Sequence, residues 1–496
     1  MNSFLSKIGY SAVYVYVEFF FGLVASIFIA RTLGPEQYGL YSYFIKISAI
    51  LLVFINAGLS TGVLRFLAEF TYNADNKYVV AYNVYRFFSR IQLYKCVTVI
   101  LFFYLVLHRL AGVIIDPGHE ALLLLFLGGV VFKSYYMFRV GAFKGLERFD
   151  RLAWTVLAAT PIYVLLVLVG AHYKLGIEFF AVVYLLTSAL YWAVSYVLIS
   201  PFLKKGEVEL GDSFKKRAVS YVRIVTVNSV LSSLVLGYVE IFYLKMMGTN
   251  VEIGYFNIGL TMSAAAVNMV PGIYNAILMP AIVKNSVQNN GEQTENARLF
   301  LFGTVRHMLI LTLFVVVPAA YYSHNLVVLF YGKAFAGAVM PLQLMLLASI
   351  TTAVTYPAIA YFVSKDRQAD MLKVYSVTLI LSVCMGYMMI RTYGLYGAVI
   401  SNILVTLFAA SCLFVMLLRD FKGVPHVGLL AKTVLVSIIA IAGTSLVKIE
   451  SSLFLEMVVG SAVYALLFVV LARVLNIFTD QEMQSMVRVL NRFRKG

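Results

Sequence analysis

The sequence specifies an all-α integral membrane protein of about fourteen transmembrane helices, and three observations carry that reading. First, 61% of its 496 residues are hydrophobic and 12% charged, with a mean hydropathy of +0.88; soluble domains average about 45–50% and 25%. Second, apolar runs of roughly twenty residues, enough to cross a bilayer's hydrocarbon, recur between short loops. They lack the ten-residue alternation of a transmembrane barrel. Third, Lys and Arg alternate between poor and rich loops, as the positive-inside rule requires.

The first span opens near Gly9, behind a short start, Met1 to Lys7, that carries no small-residue cleavage site. It is read as a retained span rather than a removed signal peptide. Leu33-Gly34-Pro35-Glu36-Gln37-Tyr38-Gly39 follows, with a glycine for an awkward backbone angle, a proline able to start a helix and a carboxylate in the first turn. The second span therefore starts near Glu36, runs apolar from Leu40 to Leu64 and ends in Arg65 and Glu69. Further spans begin near Ile91, Glu120, Leu152 and Ile177. After a polar, basic interruption from Phe202 to Val219, they resume near Ser220, Ile253, Leu299, Val339, Met371, Gly394, Leu429 and Leu453.

One set of loops carries a single basic residue each: Arg31, Arg109, Lys174, Lys245, Lys333, Arg391 and Lys448. The opposite set is richer, as in Lys144, Arg148 and Arg151, or Lys204, Lys205, Lys215, Lys216 and Arg217. Both termini are therefore expected in the cytoplasm. The same distribution accounts for the net charge of +16 without nucleic acid, for which no recognition fold is visible.

Two segments repeat. Met247-Gly248-Thr249-Asn250-Val251-Glu252-Ile253-Gly254 opens a second long apolar helix, and Gly39 matches Gly254. In that register a narrow stripe of Ser42, Lys46, Ala49, Ala57 and Ser60 falls on Asn257, Thr261, Ala264, Gly272 and Asn275, with Asn268 on the same face. Phe143 to Asp150 before the fifth span is likewise echoed by Val363 to Gln368 before the eleventh. A duplicated half is the economical explanation. The organisation expected is an N-terminal lobe over 1–201, a connector over 202–219, a C-terminal lobe over 220–418, and two extra helices with a tail over 419–496.

Charges at bilayer depth are the candidate functional groups, since each costs about 2.5–3.5 kcal/mol on insertion scales and must face water or a partner. Glu18 shares a face with Tyr14, Gly22, Ala25 and Ile29. It is a candidate ion-coupling carboxylate, or else the structural partner of Lys46 or Lys133. Glu240, on a face with Ser229 and Ser233, is the second coupling candidate, with a local pair to Lys245 as the alternative. Lys46 and Lys133 are the candidates for a cationic cavity, their compact positive charge suited to an anionic group, with Arg65 and Arg139 nearer the cytoplasmic mouth. Asn257, Thr261, Asn268 and Asn275 either line a cavity with polar groups or tie helices together. Pro271, Pro280 and Pro357 remove backbone donors and permit bending. Cys96, Cys384 and Cys412 have neither paired nor metal-like spacing and read as packing residues.

The turn at Gly34 together with Leu59-Ser60-Thr61-Gly62-Val63-Leu64-Arg65-Phe66-Leu67-Ala68-Glu69, and Phe143-Lys144-Gly145-Leu146-Glu147-Arg148-Phe149-Asp150 as the loop between the fourth and fifth spans, resemble the Wzx-like oligosaccharide and polysaccharide flippases of the MOP (MATE-like) superfamily. The resemblance implies two six-helix lobes around a central, positively charged cavity. It also implies translocation of a polyprenyl-(pyro)phosphate-linked oligosaccharide to the outer leaflet of the cell (cytoplasmic or inner) membrane by alternating access. The partners it implies are membrane lipids, the lipid-linked oligosaccharide and a polysaccharide polymerase or glycosyltransferase machinery, with a monomeric carrier. No cofactor is expected beyond coupling to H+ or Na+.

Two rival readings remain. A cation-coupled multidrug exporter of the MATE type uses the same fold; Glu18 and Glu240 suit it, whereas Lys46 and Lys133 oppose cationic drugs. A membrane glycosyltransferase would need catalytic groups on a sizeable outer loop, and the outer loops are short. Six scattered histidines, no His-Glu-x-x-His and no phosphate-binding glycine loop leave an enzyme without a foothold.

Overall fold

The computed structural model describes residues 2–71, 76–109, 118–206, 208–234, 237–268, 293–365, 367–421, 427–446 and 452–477, with side chains omitted at 2–8, 107–108, 268, 293–297, 299–300, 364, 368 and 427. Among them every regular element is helical: α1 (Asn2–Asn56), α2 (Leu59–Thr71), α3 (Lys77–Arg109), α4 (Glu120–Gly145), α5 (Phe149–His172), α6 (Ile177–Ile199), α7 (Asp212–Leu234), α8 (Tyr238–Met247) and α9 (Asn250–Asn268). Then follow α10 (Gln293–Tyr321), α11 (Ser323–Phe330), α12 (Val339–Ala348), α13 (Thr352–Ser364), α14 (Gln368–Asp420), α15 (Val427–Ser445) and α16 (Leu453–Val474), with short 3-10 turns between some of them.

Ten of the described helical stretches are long and apolar enough to cross a membrane, and the bent pair of α7 with α8 raises this to 11. Two are too long for a single crossing. Gly9–Thr71 spans 63 residues and bends where Gly34 takes φ 70°; Ala369–Asp420 spans 52 and bends where Gly394 takes φ 53°. At 1.5 Å per residue each covers more than twice the hydrocarbon thickness, so each doubles back at its glycine. Fourteen is not reached among the described residues, in which the span expected to open near Ile253 is described as far as Asn268. Large apolar side chains are bare on the exterior, for example Ile224 at 64% and Leu466 at 66%, which suits lipid and not water.

By packing the chain divides into two units, Met1–Tyr255 with Leu379–Ala398, and Phe256–Thr378 with Val399–Gly496. In the first, α2, α3, α4, α6 and α7 bury a core of Phe66, Phe88, Phe138, Phe143, Tyr191 and Phe214. Small residues let the backbones approach: a Cβ on Gly141 would stand 2.3 Å from the Ser60 carbonyl oxygen, and one on Gly145 2.7 Å from that of Leu64. Within the polar stretch expected to link two lobes over 202–219, Asp212 starts α7, Phe214 and Ala218 are buried in the core, and Lys215, Lys216 and Arg217 lie around the exposed side of the helix.

In the second unit, α10, α13 and α14 bury Phe302, Tyr361, Phe362 and Leu417. The pair α15 and α16 packs on α10 through Val436, Tyr464 and Phe468, with the Tyr464 hydroxyl 3.1 Å from the Leu313 carbonyl. Asn325 of α11 donates to both the Leu453 carbonyl and the Glu456 carboxylate at 3.0 Å, fixing the start of α16.

The repeat seen in sequence recurs in backbone detail. Before α5, Arg148 N–H donates to the Phe143 carbonyl at 2.8 Å; before α14, Arg367 N–H donates to the Phe362 carbonyl at 2.9 Å. Each arginine then pairs with an aspartate in the first turn of the helix it precedes, Arg148 with Asp150 at 2.6 Å and Arg367 with Asp370 at 2.9 Å. Carboxylates at that position are favoured by the helix dipole.

Candidate translocation site

The charged groups of the first unit sit at three breaks or pairings in its helices. Lys46 lies within the second limb of α1, partly buried, with its ammonium 5.5 Å from the centre of the Tyr238 ring. Among the described residues no carboxylate pairs with it. A cation over an aromatic face gains about 0.5–2 kcal/mol, less than its transfer cost, so the charge keeps capacity for an anion.

Glu18, near the middle of the first limb, settles between its two possible partners. Its Oε1 accepts from Lys133 Nζ at 3.1 Å, and the two side chains are 33% and 23% exposed. Lys133 also lies 4.5 Å from the Tyr191 ring and 4.9 Å from that of Tyr136. Lys144 stands over Tyr14, and Thr160 and Tyr191 share a hydroxyl hydrogen bond at 2.7 Å. The result is one carboxylate and two lysines set among the tyrosines of α1, α4 and α6.

The stripe read along the second span does not survive as one helical face. Helix α1 stops at Asn56, Gly58 adopts φ 75°, and α2 begins at Leu59, so the span is broken two-thirds of the way along. Only glycine fits, since a Cβ there would lie 2.4 Å from the Val222 carbonyl oxygen as well as being strained. The Ala57 carbonyl freed by the break accepts from Lys95 Nζ at 3.0 Å and from the Thr226 hydroxyl at 2.6 Å. One residue earlier, buried Asn56 accepts from buried Gln92 at 3.3 Å. Ser60, beyond the break, is turned to α4, where its hydroxyl donates to the Met137 carbonyl at 3.3 Å.

Lys95 and Gln92 were not singled out from sequence. The signal was weak, because both stand within the first five residues of the span expected from Ile91, just after Arg86 and Arg90, where a polar side chain usually reaches the interface.

Arg139 is not at a mouth. It is 4% exposed, with Nε donating to the Tyr85 hydroxyl at 3.2 Å and one amino group donating to the Trp192 carbonyl at 2.8 Å and to Ser195 at 3.2 Å. These three hydrogen bonds hold α4 against α3 and α6. Arg65 is exposed and lies over the Tyr221 ring at 4.9 Å.

Glu240 is fully buried at the start of α8 and accepts from Ser382 at 3.3 Å, while Lys245 donates to the Asn250 side chain at 3.0 Å. The face expected to join Glu240 to Ser229 and Ser233 does not run through, because α7 ends at Leu234 and Gly237, at φ 83°, starts α8 anew. Thr249 and Glu252 cap α9 reciprocally at 2.9 and 3.3 Å, and Glu252 also accepts from Leu395 N–H at 3.1 Å, tying α9 to the bend of α14.

In the second unit Asn257 is 8% exposed and Thr261 partly buried. The Asn268 side chain lies outside the described ones, and Asn275, Pro271 and Pro280 lie outside the described residues. Cys96 is buried 3.9 Å from Ser134, and all three cysteines are free; Cys384 faces the exterior rather than the packed interior.

Among solved structures, the lipid II flippase MurJ in an inward closed conformation superposes with a TM-score of 0.73 at 13% identity, covering 94% of this chain and 98% of that one. A multidrug resistance MATE family transporter of the MOP superfamily, inward-facing, gives 0.67 at 15% identity, covering 84% and 98%. A Vibrio cholerae MATE transporter gives 0.57 at 13%, covering 84% and 96%. These establish the fold as that of transporters and flippases. No curated protein matches the sequence. The polysaccharide biosynthesis protein family matches residues 4–286, more than half of the chain, and with the fold of a multi-pass membrane transporter rather than an enzyme, this protein belongs to that family.

Proposed function

We propose that the protein carries a polyprenyl-(pyro)phosphate-linked oligosaccharide from the cytoplasmic to the outer leaflet of the cell membrane by alternating access, with both termini in the cytoplasm. The observation that carries this reading is Lys46, a charge at bilayer depth held against an aromatic face and, among the described residues, without a carboxylate partner. A pyrophosphate is the ligand such a group suits, since it offers anionic oxygens to a compact ammonium where water is scarce. Lys133 is a second anchor, reached when the incoming anion competes with Glu18. The carboxylate then released takes up H+ or Na+, which couples loading to a gradient; Glu240 is the second candidate, in the bent pair of α7 with α8. Asn257, Thr261, Asn268 and Asn275 provide contacts for sugar hydroxyls, and Arg65 guides the headgroup at the cytoplasmic side. The likeness to MATE transporters and the buried Glu240 favour export of amphipathic cations as a second reading.

The test is binding of a polyprenyl-pyrophosphate-linked sugar to purified protein. Lys46→Ala should weaken it at least tenfold, Lys46→Arg should keep part of it, and a cationic drug should not compete. Unchanged affinity in Lys46→Ala removes the anchor, and competition by the drug favours the exporter.

A further inference from the structure

Where α1 reaches its Gly34 bend and α5 ends, the two helices leave a cleft of about 770 Å³. Arg31, Thr32, His172 and Lys174 form its polar rim, and Phe28, Leu168 and Ala171 its apolar wall. Basic residues are sparse on this side of the protein, one to a loop, yet those of two different loops meet here and are joined by a histidine. Scattered interface charges have no reason to converge.

The backbone adds an independent sign. Lys174 sits at φ 51°, in the left-handed region where glycine is the usual residue at a helix end. The closing carbonyls of α5 are already satisfied, by Tyr173 N–H to Val169 at 3.1 Å, Lys174 N–H to Ala171 at 3.3 Å and Leu175 N–H to Gly170 at 2.9 Å. The negative pole of the helix is thus muted, and a lysine is kept at a strained position where the turn itself needs none. Among the described residues Lys174 has no carboxylate partner. The apolar wall opens to the exterior, with Phe28 37% and Leu168 39% exposed.

We propose that this cleft binds the phosphate of an anionic lipid in the leaflet at the Gly34 end, with Arg31 and Lys174 on the phosphate oxygens and Phe28 and Leu168 along the first carbons of the chain. The site is separate from the translocation residues and does not depend on what is translocated. The phosphate can belong to a bulk phospholipid or to a polyprenyl phosphate.

Native mass spectrometry of the full-length protein, titrated separately with phosphatidylglycerol, polyprenyl phosphate, phosphatidylcholine and inorganic phosphate, tests this. At least one of the two anionic lipids should bind tenfold more tightly than phosphatidylcholine, and whichever binds better identifies the source. Arg31→Gln with Lys174→Gln should lose that binding tenfold or more, whereas Lys204→Gln with Lys205→Gln should keep it. Lys174→Gly separates binding from folding: relieving the strained angle should raise the melting temperature by about 1–2 °C while binding falls. Displacement of the lipid by millimolar inorganic phosphate, equal losses in the two double variants, or full binding by Lys174→Gly would each overturn the proposal.

Discussion

Gly39 and Gly254, matched positions of the two repeated segments, pack against each other: a Cβ on Gly254 would lie 3.4 Å from the Gly39 Cα, and one on Gly39 only 1.6 Å from the Asn250 carbonyl oxygen. The duplicated turn therefore crosses its own copy, backbone to backbone.

This crossing should tolerate no added carbon. Gly39→Ala is expected to destabilise the purified protein by about 2 kcal/mol or more, at or above the usual cost of overpacking, because backbone and not a flexible side chain blocks the new atom. Gly22→Ala, with open space around its Cβ, should be neutral or slightly stabilising. Thermal melting in detergent decides, and equal effects at the two positions would contradict the crossing.

Glu18 and Lys133 should behave as a coupled pair. Both are partly exposed, so a double-mutant cycle of Glu18→Gln with Lys133→Met is expected to show about 0.5–1 kcal/mol of coupling rather than the several of a dry ion pair. The cycle of Glu18→Gln with Lys46→Met should be additive. Coupling to Lys46 instead would overturn the assignment.

Lys95→Met removes a charged donor from a freed carbonyl and should cost about 1.5–3 kcal/mol, with Thr226→Val nearer 1. Because both donate to Ala57, the double variant should lose less than the sum of the two. Strict additivity in melting experiments would show that they do not share that oxygen.

Arg139 should not accept lysine. Its planar fork reaches Tyr85, Trp192 and Ser195 at once, and a single ammonium cannot. Arg139→Lys is therefore expected to cost most of what Arg139→Ala costs, read as melting temperature. Loss of lipid-linked sugar binding by Arg139→Lys at unchanged stability would instead return this residue to the substrate path.

Apolar length made the helices legible, and Gly34-Pro35 marked the first bend because its residue types have few other uses. The repeat was legible as a pattern, while the contact between Gly39 and Gly254 was not, since a one-dimensional match carries no distance. The break at Gly58 left no mark either: one glycine among apolar residues reads as helix, and only the Val222 carbonyl opposite shows why it cannot be alanine. Burial misled in the same way at Arg139, whose position near a helix end suggested an open mouth although α3 and α6 close over it. The partner of Glu18 was narrowed to two lysines by depth, and choosing between them needed three helices in place.

The unwound peptide at Ala57 also constrains how the chain is made. Its carbonyl accepts from Lys95, 38 residues downstream, and from Thr226, 169 residues downstream, so at roughly 5–20 residues per second a ribosome delivers the two donors about 2–8 and about 8–34 seconds after the carbonyl they serve. Between those times the freed carbonyl rests on the Lys95 ammonium alone. The nick in the second span is completed only when α7 has been inserted beside it.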